Sequence, residues 1–231
     1  MVVFMEWELY KGDCFDHLSQ IKNESVDLII TDPPYFINYK TNYRINKKHD
    51  FCNPIKNDTS PKILKKLIPE LYRILKDNSA LYIFCSPDTI GVFKKEVQKY
   101  FKIKNIIIWV KNNHTAGDLK AQYGKKYEMI IYANRGRSFI NGKRLTDVWE
   151  FDRVSGKRQL HQNQKPLDLV EQIIKKSSNE HDVVLDCFAG SGTTGVACMN
   201  LNRDCIMMEL ENEYCDIILK RMAENDQKRL I

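Results

Sequence analysis

The sequence has little of what marks membrane, secreted or low-complexity proteins. Its unbroken apolar runs, such as the five residues Ile106–Val110, fall far short of the about 18 that a membrane-spanning helix needs. Ten glycines and seven prolines among 231 residues exclude a collagen-like chain. The seven cysteines are an odd number without a C-x-x-C pair, which favours free thiols and gives no reason to expect a metal site. No basic residue precedes Lys11, so we expect no secretory or transit segment and a cytoplasmic location.

Positive charge is concentrated in two segments of an otherwise neutral chain whose net charge is +6. Residues 38–58 contain five Lys or Arg against two Asp, and residues 134–161 contain seven against three acidic residues. Both segments lack a sustained hydrophobic period, as loops do. Clustered cations suit a polyanion such as nucleic acid, but solvated surface loops have the same composition, so charge alone leaves both interpretations open.

The hydrophobic pattern predicts alternating strands and helices. Continuous apolarity, as in Leu81–Phe84, is typical of strands buried on both faces of a parallel sheet. The β-like runs are Trp7–Tyr10, Val26–Thr31, Ala80–Cys85, Ile106–Val110, Glu128–Ala133, Val183–Cys187 and Asp204–Met208. Helices are predicted after Ser60–Pro61, where Pro69 is expected to kink or split the helix, and at Pro166–Lys176 and Glu211–Lys228. The alternation predicts an α/β doubly wound fold, which we take as a single domain spanning residues 1–231.

Residues 183–195 combine a buried strand, a G-x-G-x-x-G turn and the start of a helix. Gly190 and Gly192 allow a tight turn close to a ligand, and Gly195 allows the helix to pack on the sheet. Glu209 ends the next strand, where its carboxylate could accept hydrogen bonds from both ribose hydroxyls. A nucleoside-containing cofactor is therefore predicted.

The position of this unit favours S-adenosylmethionine over NAD as that cofactor. A dinucleotide-binding fold opens with such a unit, whereas here only 22 residues follow Glu209, so the other strands lie upstream and the fold is circularly permuted. No phosphate-neutralising arginine follows the glycines closely, and Asp186 could bind an amino group instead.

A second motif, Asp32-Pro33-Pro34-Tyr35, ends a buried strand. The two prolines make a stiff turn that leaves carbonyl groups free as acceptors. The Asp32 carboxylate and the Pro33 carbonyl can together accept both hydrogens of an amino group, while Tyr35 can stack on the ring that carries it. The same residues could instead only terminate a strand, with Tyr35 as packing.

Together the two motifs resemble those of the amino-group DNA methyltransferases with the permuted, β-type motif order, and among them the N6-adenine enzymes. The further matching segments are Gly12–Asp13, Trp109–Asn112, Lys126–Ile130 and His161–Pro166. The resemblance implies a Rossmann-like S-adenosylmethionine-dependent methyltransferase fold, with a mostly parallel central sheet and helices on both faces. It also implies site-specific methyl transfer to the N6 amine of adenine in double-stranded DNA, with base flipping and S-adenosylhomocysteine as product.

The resemblance assigns roles to individual residues. Asp32 and Pro33 would orient the amine in a turn completed by Pro34, and Tyr35 would stack on the target base, with Tyr127 as a second wall of the pocket. The implied cofactor-binding residues are Asp13, Lys165, Asp186, Phe188, Ala189, Gly190, Gly192 and Glu209. In this set Lys165 and Asp186 bracket the methionine portion and Glu209 takes the ribose. Asp13 meets the adenine ring, although it could also be a helix N-cap.

The two basic segments become the predicted DNA-contacting loops, at residues 38–58 and, as the target-recognition segment, 136–160. The DNA-binding candidates are Lys47, Lys48, Arg135, Arg137, Lys143, Arg144, Arg153 and Arg158. Three alternatives stay open: an N4-cytosine DNA methyltransferase, an RNA or protein-amide methyltransferase, and a DNA-binding module with a vestigial cofactor site. The chain lacks the Pro-Cys pair that the cytosine-carbon enzymes use.

Double-stranded DNA is the partner that the resemblance implies, in the cytoplasm of a bacterial-type cell and associated with the nucleoid, without a membrane. It also allows a homodimer, a cognate restriction endonuclease or a companion methyltransferase, and the sequence does not choose among them.

Overall fold

The computed structural model describes residues 6–36, 60–114, 120–156, 159–160 and 163–229. The strands in these ranges are β1 (Trp7–Lys11), β2 (Val26–Thr31), β3 (Leu75–Cys85), β4 (Lys102–Val110), β5 (Tyr127–Arg135), β6 (Val148–Glu150), β7 (Val183–Asp186) and β8 (Asp204–Glu209). The helices are α1 (Cys14–Leu18), α2 (Lys62–Ile74), α3 (Ile90–Val97), α4 (Leu167–Ser177), α5 (Thr193–Asn200) and α6 (Asn212–Arg229). None of these helices is long and apolar enough to cross a bilayer.

The strands form one sheet in the order β1-β8-β7-β2-β3-β5-β4-β6. Neighbouring strands are parallel except on either side of β5, which runs antiparallel to both β3 and β4. Strand β7, which leads into the glycine turn, lies inside the sheet between β2 and β8 although it comes late in the chain. The permuted, mostly parallel sheet expected from the sequence is therefore confirmed.

Helices cover both faces of this sheet, and the alternation of β3 shows why. Successive residues of a strand point to opposite faces. Tyr82 and Phe84 belong to the core cluster that contains buried residues of α4, α5 and α6. Leu81 and Ile83 belong to the cluster that contains buried residues of α1, α2 and α3. A strand buried on both faces explains the continuously apolar pattern in the sequence.

One edge of the sheet, named here the carboxyl edge, collects the ends of the parallel strands. Strand β2 stops just before Asp32, β7 ends at Asp186 and β8 ends at Glu209. Because β5 is antiparallel, its first residue Tyr127 lies at this edge and its last residue Arg135 lies at the opposite one. Ligands of open α/β sheets bind outside the carboxyl ends of the strands, which makes this edge the place to look for a site.

The structure adds short elements and corrects one expectation. Strand β6 has three residues and α1 has five, too few for a hydrophobic period to be read from the sequence, and α3 was also not predicted. Of the two effects expected of Pro69, a split is wrong, because α2 runs unbroken from Lys62 to Ile74 with Pro69 inside it. The proline removes only the amide that would bond to the carbonyl of Lys65. Because Lys65 is exposed, water can satisfy that carbonyl.

Candidate active site

The Asp32–Tyr35 turn forms a compact corner at the carboxyl edge. The Tyr35 hydroxyl donates a hydrogen bond to Oδ1 of Asp32 and lies 3.2 Å from Oε2 of Glu128 on β5. The Tyr35 ring packs edge-on against Phe93 of α3, with ring centroids 6.3 Å apart. Within the turn Pro33 is buried and Pro34 half-buried.

Lys165 lies just before Pro166, the N-cap of α4, and its side chain reaches into this corner. Its ammonium nitrogen lies 2.6 Å from Oδ2 of Asp32, 3.2 Å from Oε2 of Glu128 and 3.2 Å from the Tyr35 hydroxyl. The same nitrogen stands 4.8 Å from the centre of the Phe84 ring. The lysine is thus held by two carboxylates and an aromatic face.

A second lysine completes a network of four charges. Lys111, just past β4, pairs with Oε1 of Glu128. Two carboxylates and two ammonium groups therefore share a pocket in which the four side chains are at most 20% exposed. Charges so far removed from water need partners of opposite sign, and each of these has one.

The network sets the protonation of its two carboxylates differently. Burial raises the pKa of Asp32, an effect that Lys165 opposes and Glu128 adds to. Burial would also raise the pKa of Glu128, but the ammonium groups of Lys165 and Lys111 outweigh it and lower this pKa to about 2. Glu128 is thus the permanent anion of the pair, whereas the charge of Asp32 depends on its neighbours.

The glycine turn beside this corner has the conformation that its residues predict. Gly190 has φ of 54° and Gly192 has φ of 77°, backbone angles that residues with a side chain rarely adopt. At Gly195 a Cβ atom would lie 2.5 Å from Sδ of Met207 on β8 and 3.0 Å from Sδ of Met222 on α6. The expected close packing of this helix on the sheet is therefore confirmed.

Glu209 and Asp13 lie on neighbouring strand ends. Glu209 is buried and accepts hydrogen bonds from the amides of Gly190, at 2.7 Å, and Glu211, at 2.9 Å. The Asp13 carboxylate accepts from the Phe15 amide at 3.0 Å and so caps α1, the alternative that the sequence left open. An N-cap uses one of the two carboxylate oxygens, so the proposed contact of Asp13 with a cofactor stays a prediction.

Asp186 is buried at the end of β7 and satisfied inside the turn. Its Oδ1 accepts from the Phe188 amide at 3.1 Å and its Oδ2 from the Thr194 hydroxyl at 2.6 Å. Burial is the main cause that raises the pKa of Asp186 to about 7. Neither Asp186 nor Glu209 forms an ion pair with any residue that the structure describes.

The remaining pocket and cofactor candidates lie at the same edge. Tyr127 is 36% exposed at the start of β5, which excludes a role as a core residue and leaves it free to line a pocket. Phe188 is half-buried, and the amide of buried Ala189 donates to the carbonyl of Met208 at 3.0 Å, which ties the turn to β8. Lys165 has its ammonium on Asp32, and its expected place beside the methionine portion of the cofactor stays a prediction.

The DNA-binding candidates among the described residues separate into two groups. Arg153 lies at the carboxyl edge, where its amide donates to Oδ1 of Asn112 at 3.4 Å. Lys47, Lys48 and Arg158 lie outside the described residues. The candidates at the opposite edge or in the half of the sheet next to it are Arg135, Arg137, Lys143 and Arg144.

The contacts of Arg135 within the protein contradict its predicted role as a DNA contact. Its guanidinium donates to the carbonyls of Tyr72, at 3.0 Å, and Leu75, at 2.6 Å, and pairs with Glu24. It also stacks on the Tyr72 ring at 4.7 Å. Strand β5 separates it from the carboxyl edge by about 27 Å, the length of nine extended residues. Arg135 therefore fastens α2 to the sheet.

Sequence reasoning missed Glu128 and Lys111 as members of the site. A charged residue beside the apolar run Met129–Ala133 is a usable signal, since an ionised group in such a strand needs a buried partner. The identity of that partner depends on the antiparallel pairing of β4 and β5. The β4–β5 connection also brings exposed Lys126 and Tyr123 to the carboxyl edge, outside either basic segment.

The chain is similar to known proteins over most of its length. A family model described as DNA methylase matches residues 26–220. Type II methyltransferase M2.DpnII of Streptococcus pneumoniae is 34% identical over 94% of this chain and 90% of its own length. DNA adenine methyltransferase YhdJ of Escherichia coli (strain K12) is 31% identical over 91% of this chain and 81% of its own. The solved M1.HpyAVI–SAM complex is 29% identical, with a TM-score of 0.69 over 94% of this chain and 99% of that chain.

Proposed function

The chain belongs to the DNA methylase family, and we propose that it transfers a methyl group from S-adenosylmethionine to the N6 amine of adenine at specific sites in double-stranded DNA. The relative YhdJ is a DNA adenine methyltransferase, and the M1.HpyAVI structure is a complex with S-adenosylmethionine. The observation that carries the proposal is the position of the Asp32 corner. It follows β2, which is hydrogen-bonded to β7, the strand that leads into the glycine turn.

The residues around the turn fit S-adenosylmethionine. The cofactor has a positive sulfonium and ammonium group and a neutral ribose diol. Asp186 and Glu209 offer buried carboxylates that no described cation neutralises, and each oxygen of Glu209 keeps a lone pair after accepting one amide. Burial raises the pKa of Asp186, and a cationic ligand would favour its ionised form. When bound, this cofactor supplies an electrophilic methyl group on sulfur.

Asp32 and Tyr35 prepare the amine to receive that methyl group. The nitrogen lone pair of adenine is conjugated with the ring, so the amine is a weak nucleophile. Two acceptors, the Asp32 carboxylate and the Pro33 carbonyl, can turn the amine so that its lone pair points toward the cofactor. Tyr35 would hold the base by stacking. Placing two reactants in line can supply about 7–11 kcal/mol without a strong base.

Because a base inside a duplex cannot reach a buried corner, we infer that the target adenine is flipped out of the helix. The position of Arg153 at the carboxyl edge supports contacts with the DNA backbone there, and the exposed Lys126 lies at the same edge. A homodimer, a cognate restriction endonuclease and a companion methyltransferase remain partners to be sought experimentally.

Identification of the methylated nucleoside tests this function. DNA from a strain without adenine methylation is incubated with the protein and S-adenosylmethionine carrying a deuterated methyl group, digested and analysed by mass spectrometry. Labelled N6-methyladenine is expected. Labelled N4-methylcytosine would show that the substrate is the cytosine amine and not the adenine amine. A parallel incubation with RNA of matched length separates the two nucleic acids, and label only in RNA would overturn the DNA assignment.

A further inference from the structure

Both oxygens of the Asp32 carboxylate already have donors in the structure. Oδ2 is paired with Lys165 at 2.6 Å, and Oδ1 accepts from the Tyr35 hydroxyl. Each oxygen keeps one lone pair, but a target amine that donates to Asp32 has to share the carboxylate with an ammonium group 2.6 Å away. Charge-assisted hydrogen bonds are roughly twice as strong as neutral ones, so the amine is held more tightly when Lys165 has another acceptor to turn to.

Glu128 supplies that acceptor. Its Oε2 lies 3.2 Å from the same nitrogen of Lys165, while its Oε1 is held by Lys111. Lys165 can therefore change partner inside the pocket without returning to water, while the arriving amine supplies the hydrogen bonds that Asp32 gives up.

From this geometry we propose that Glu128 is a positioning residue that takes over the ammonium of Lys165 when Asp32 accepts the target amine. The inference rests on the proposed function, because it requires an amine at Asp32. Two carboxylates and two ammonium groups are present before and after the exchange, so the buried charge stays balanced. Lys111 holds Glu128 from the side away from Lys165, so that Glu128 stays in place while Lys165 moves.

The negative charge of Glu128 also makes a prediction about the pH dependence of methyl transfer. The charged or titratable groups that act on Asp32 and its neighbours are Lys165, Lys111, Glu128, Tyr35, Cys85 and Asp186. Glu128 is among the causes that raise the pKa of Asp32. Replacing Glu128 by glutamine removes this negative charge, so the pKa of Asp32 falls and the acid limb of the kcat profile moves to lower pH.

The test compares Glu128→Gln and Glu128→Asp with the wild type, in methyl transfer to DNA from a strain without adenine methylation. In Glu128→Gln we expect kcat to fall about 10-fold or more, the effect of one lost charge-assisted hydrogen bond, with the S-adenosylmethionine Kd within about twofold of wild type. The acid limb should move to lower pH. Glu128→Asp keeps the charge, so its acid limb should stay at the wild-type position even if kcat is lower.

Glu96→Gln is the matched control, because Glu96 is also shielded from solvent and paired with a lysine, Lys99 at 2.6 Å, but lies on α3 outside this network. It should leave kcat and the acid limb unchanged. A Glu128→Gln enzyme with wild-type kcat, or with lower kcat and an unmoved acid limb, would overturn the proposal. A wild type that methylates no DNA would instead overturn the proposed function.

A second measurement does not depend on how well the variant folds. The wild type is crystallised with S-adenosylhomocysteine and a duplex that contains its mapped site. Lys165 within hydrogen-bond distance of Glu128 and released from Asp32 would support the exchange. Lys165 still on Asp32, with the flipped base bound, would contradict it.

Discussion

The ammonium of Lys165 lies 2.6 Å from the carboxylate of Asp32, although one residue precedes a helix and the other follows a strand. The contact joins two segments of the site: Gln164-Lys165-Pro166 before α4 and the Asp32–Tyr35 turn after β2. Because burial raises the pKa of Asp32, the lysine helps keep this carboxylate ionised. Consequences of this contact, of the site and of the fold can be measured directly.

Replacing Glu209 by glutamine should weaken cofactor binding. The ribose hydroxyls lose a charged acceptor, and a charge-assisted hydrogen bond contributes about 1.5–3 kcal/mol. Calorimetry should show a Kd for S-adenosylmethionine at least about 10-fold higher. Glu213→Gln, an exposed residue in the first turn of α6, is the control and should bind normally. Equal affinity in Glu209→Gln and wild type would remove the ribose assignment.

Cofactor affinity should rise with pH as Asp186 ionises. Burial raises the pKa of Asp186 to about 7, and only the ionised form pairs with the cationic cofactor. From about pH 5.5 to 7 the ammonium of the cofactor stays protonated, so Asp186 controls the trend. In Asp186→Asn the affinity should be low and flat over this range. A wild-type affinity independent of pH would contradict the role of Asp186.

The same raised pKa has the opposite effect on the unliganded fold. Between its ordinary value near 4 and about 7, native Asp186 keeps a proton that the unfolded chain has released. The contribution of Asp186 to stability is therefore present at low pH and lost as the pH rises toward 7.

Two glycine-to-alanine substitutions in helices should have opposite effects on stability. In Gly195→Ala the new Cβ meets buried Met207 at 2.5 Å, an overpacking that costs about 1–3 kcal/mol. Gly91 in α3 has nothing within 4 Å of such a Cβ, so Gly91→Ala should stabilise by up to about 1 kcal/mol. Urea unfolding measures both, and a Gly195→Ala protein as stable as wild type would show that the two methionines can move aside.

Arg153 and Arg137 should differ in their effect on DNA binding. Each phosphate contact contributes about −0.9 to the slope of log affinity against log salt. Arg153→Gln, at the carboxyl edge, should flatten the slope by about one contact, whereas Arg137→Gln, exposed at the opposite edge, should not. Mapping the methylated sites of Arg153→Gln separates a phosphate contact from a base reader, because only a reader changes site preference. A flatter slope in Arg137→Gln alone would place the DNA on the other edge.

The sequence predicted those parts of the structure that depend on local chemistry. The glycine turn, Glu209 at a strand end and the Asp32 turn all follow from residue type and from neighbours in the chain. The partners of Lys165 could not be predicted in this way. They depend on β5 running antiparallel to β3 and β4, which brings Glu128 to the carboxyl edge.

The same strand direction explains why charge counting misplaced Arg135. In the sequence it adjoins a basic segment, but β5 carries it about 27 Å from the site, where Glu24 pairs with it. A count of charges along the chain does not show to which edge of a sheet they belong.

The most direct test of the account measures N6-methyladenine produced by the wild type and by Asp32→Ala, together with their affinities for S-adenosylmethionine. We expect the wild type to methylate adenine and Asp32→Ala to do so about 100- to 1,000-fold more slowly, by comparison with the loss of one transition-state hydrogen bond elsewhere. Cofactor affinity should stay within about twofold, because Lys165 keeps Glu128 as a partner. Near-normal N6-methyladenine formation by Asp32→Ala would show that the corner after β2 is not where methyl transfer occurs.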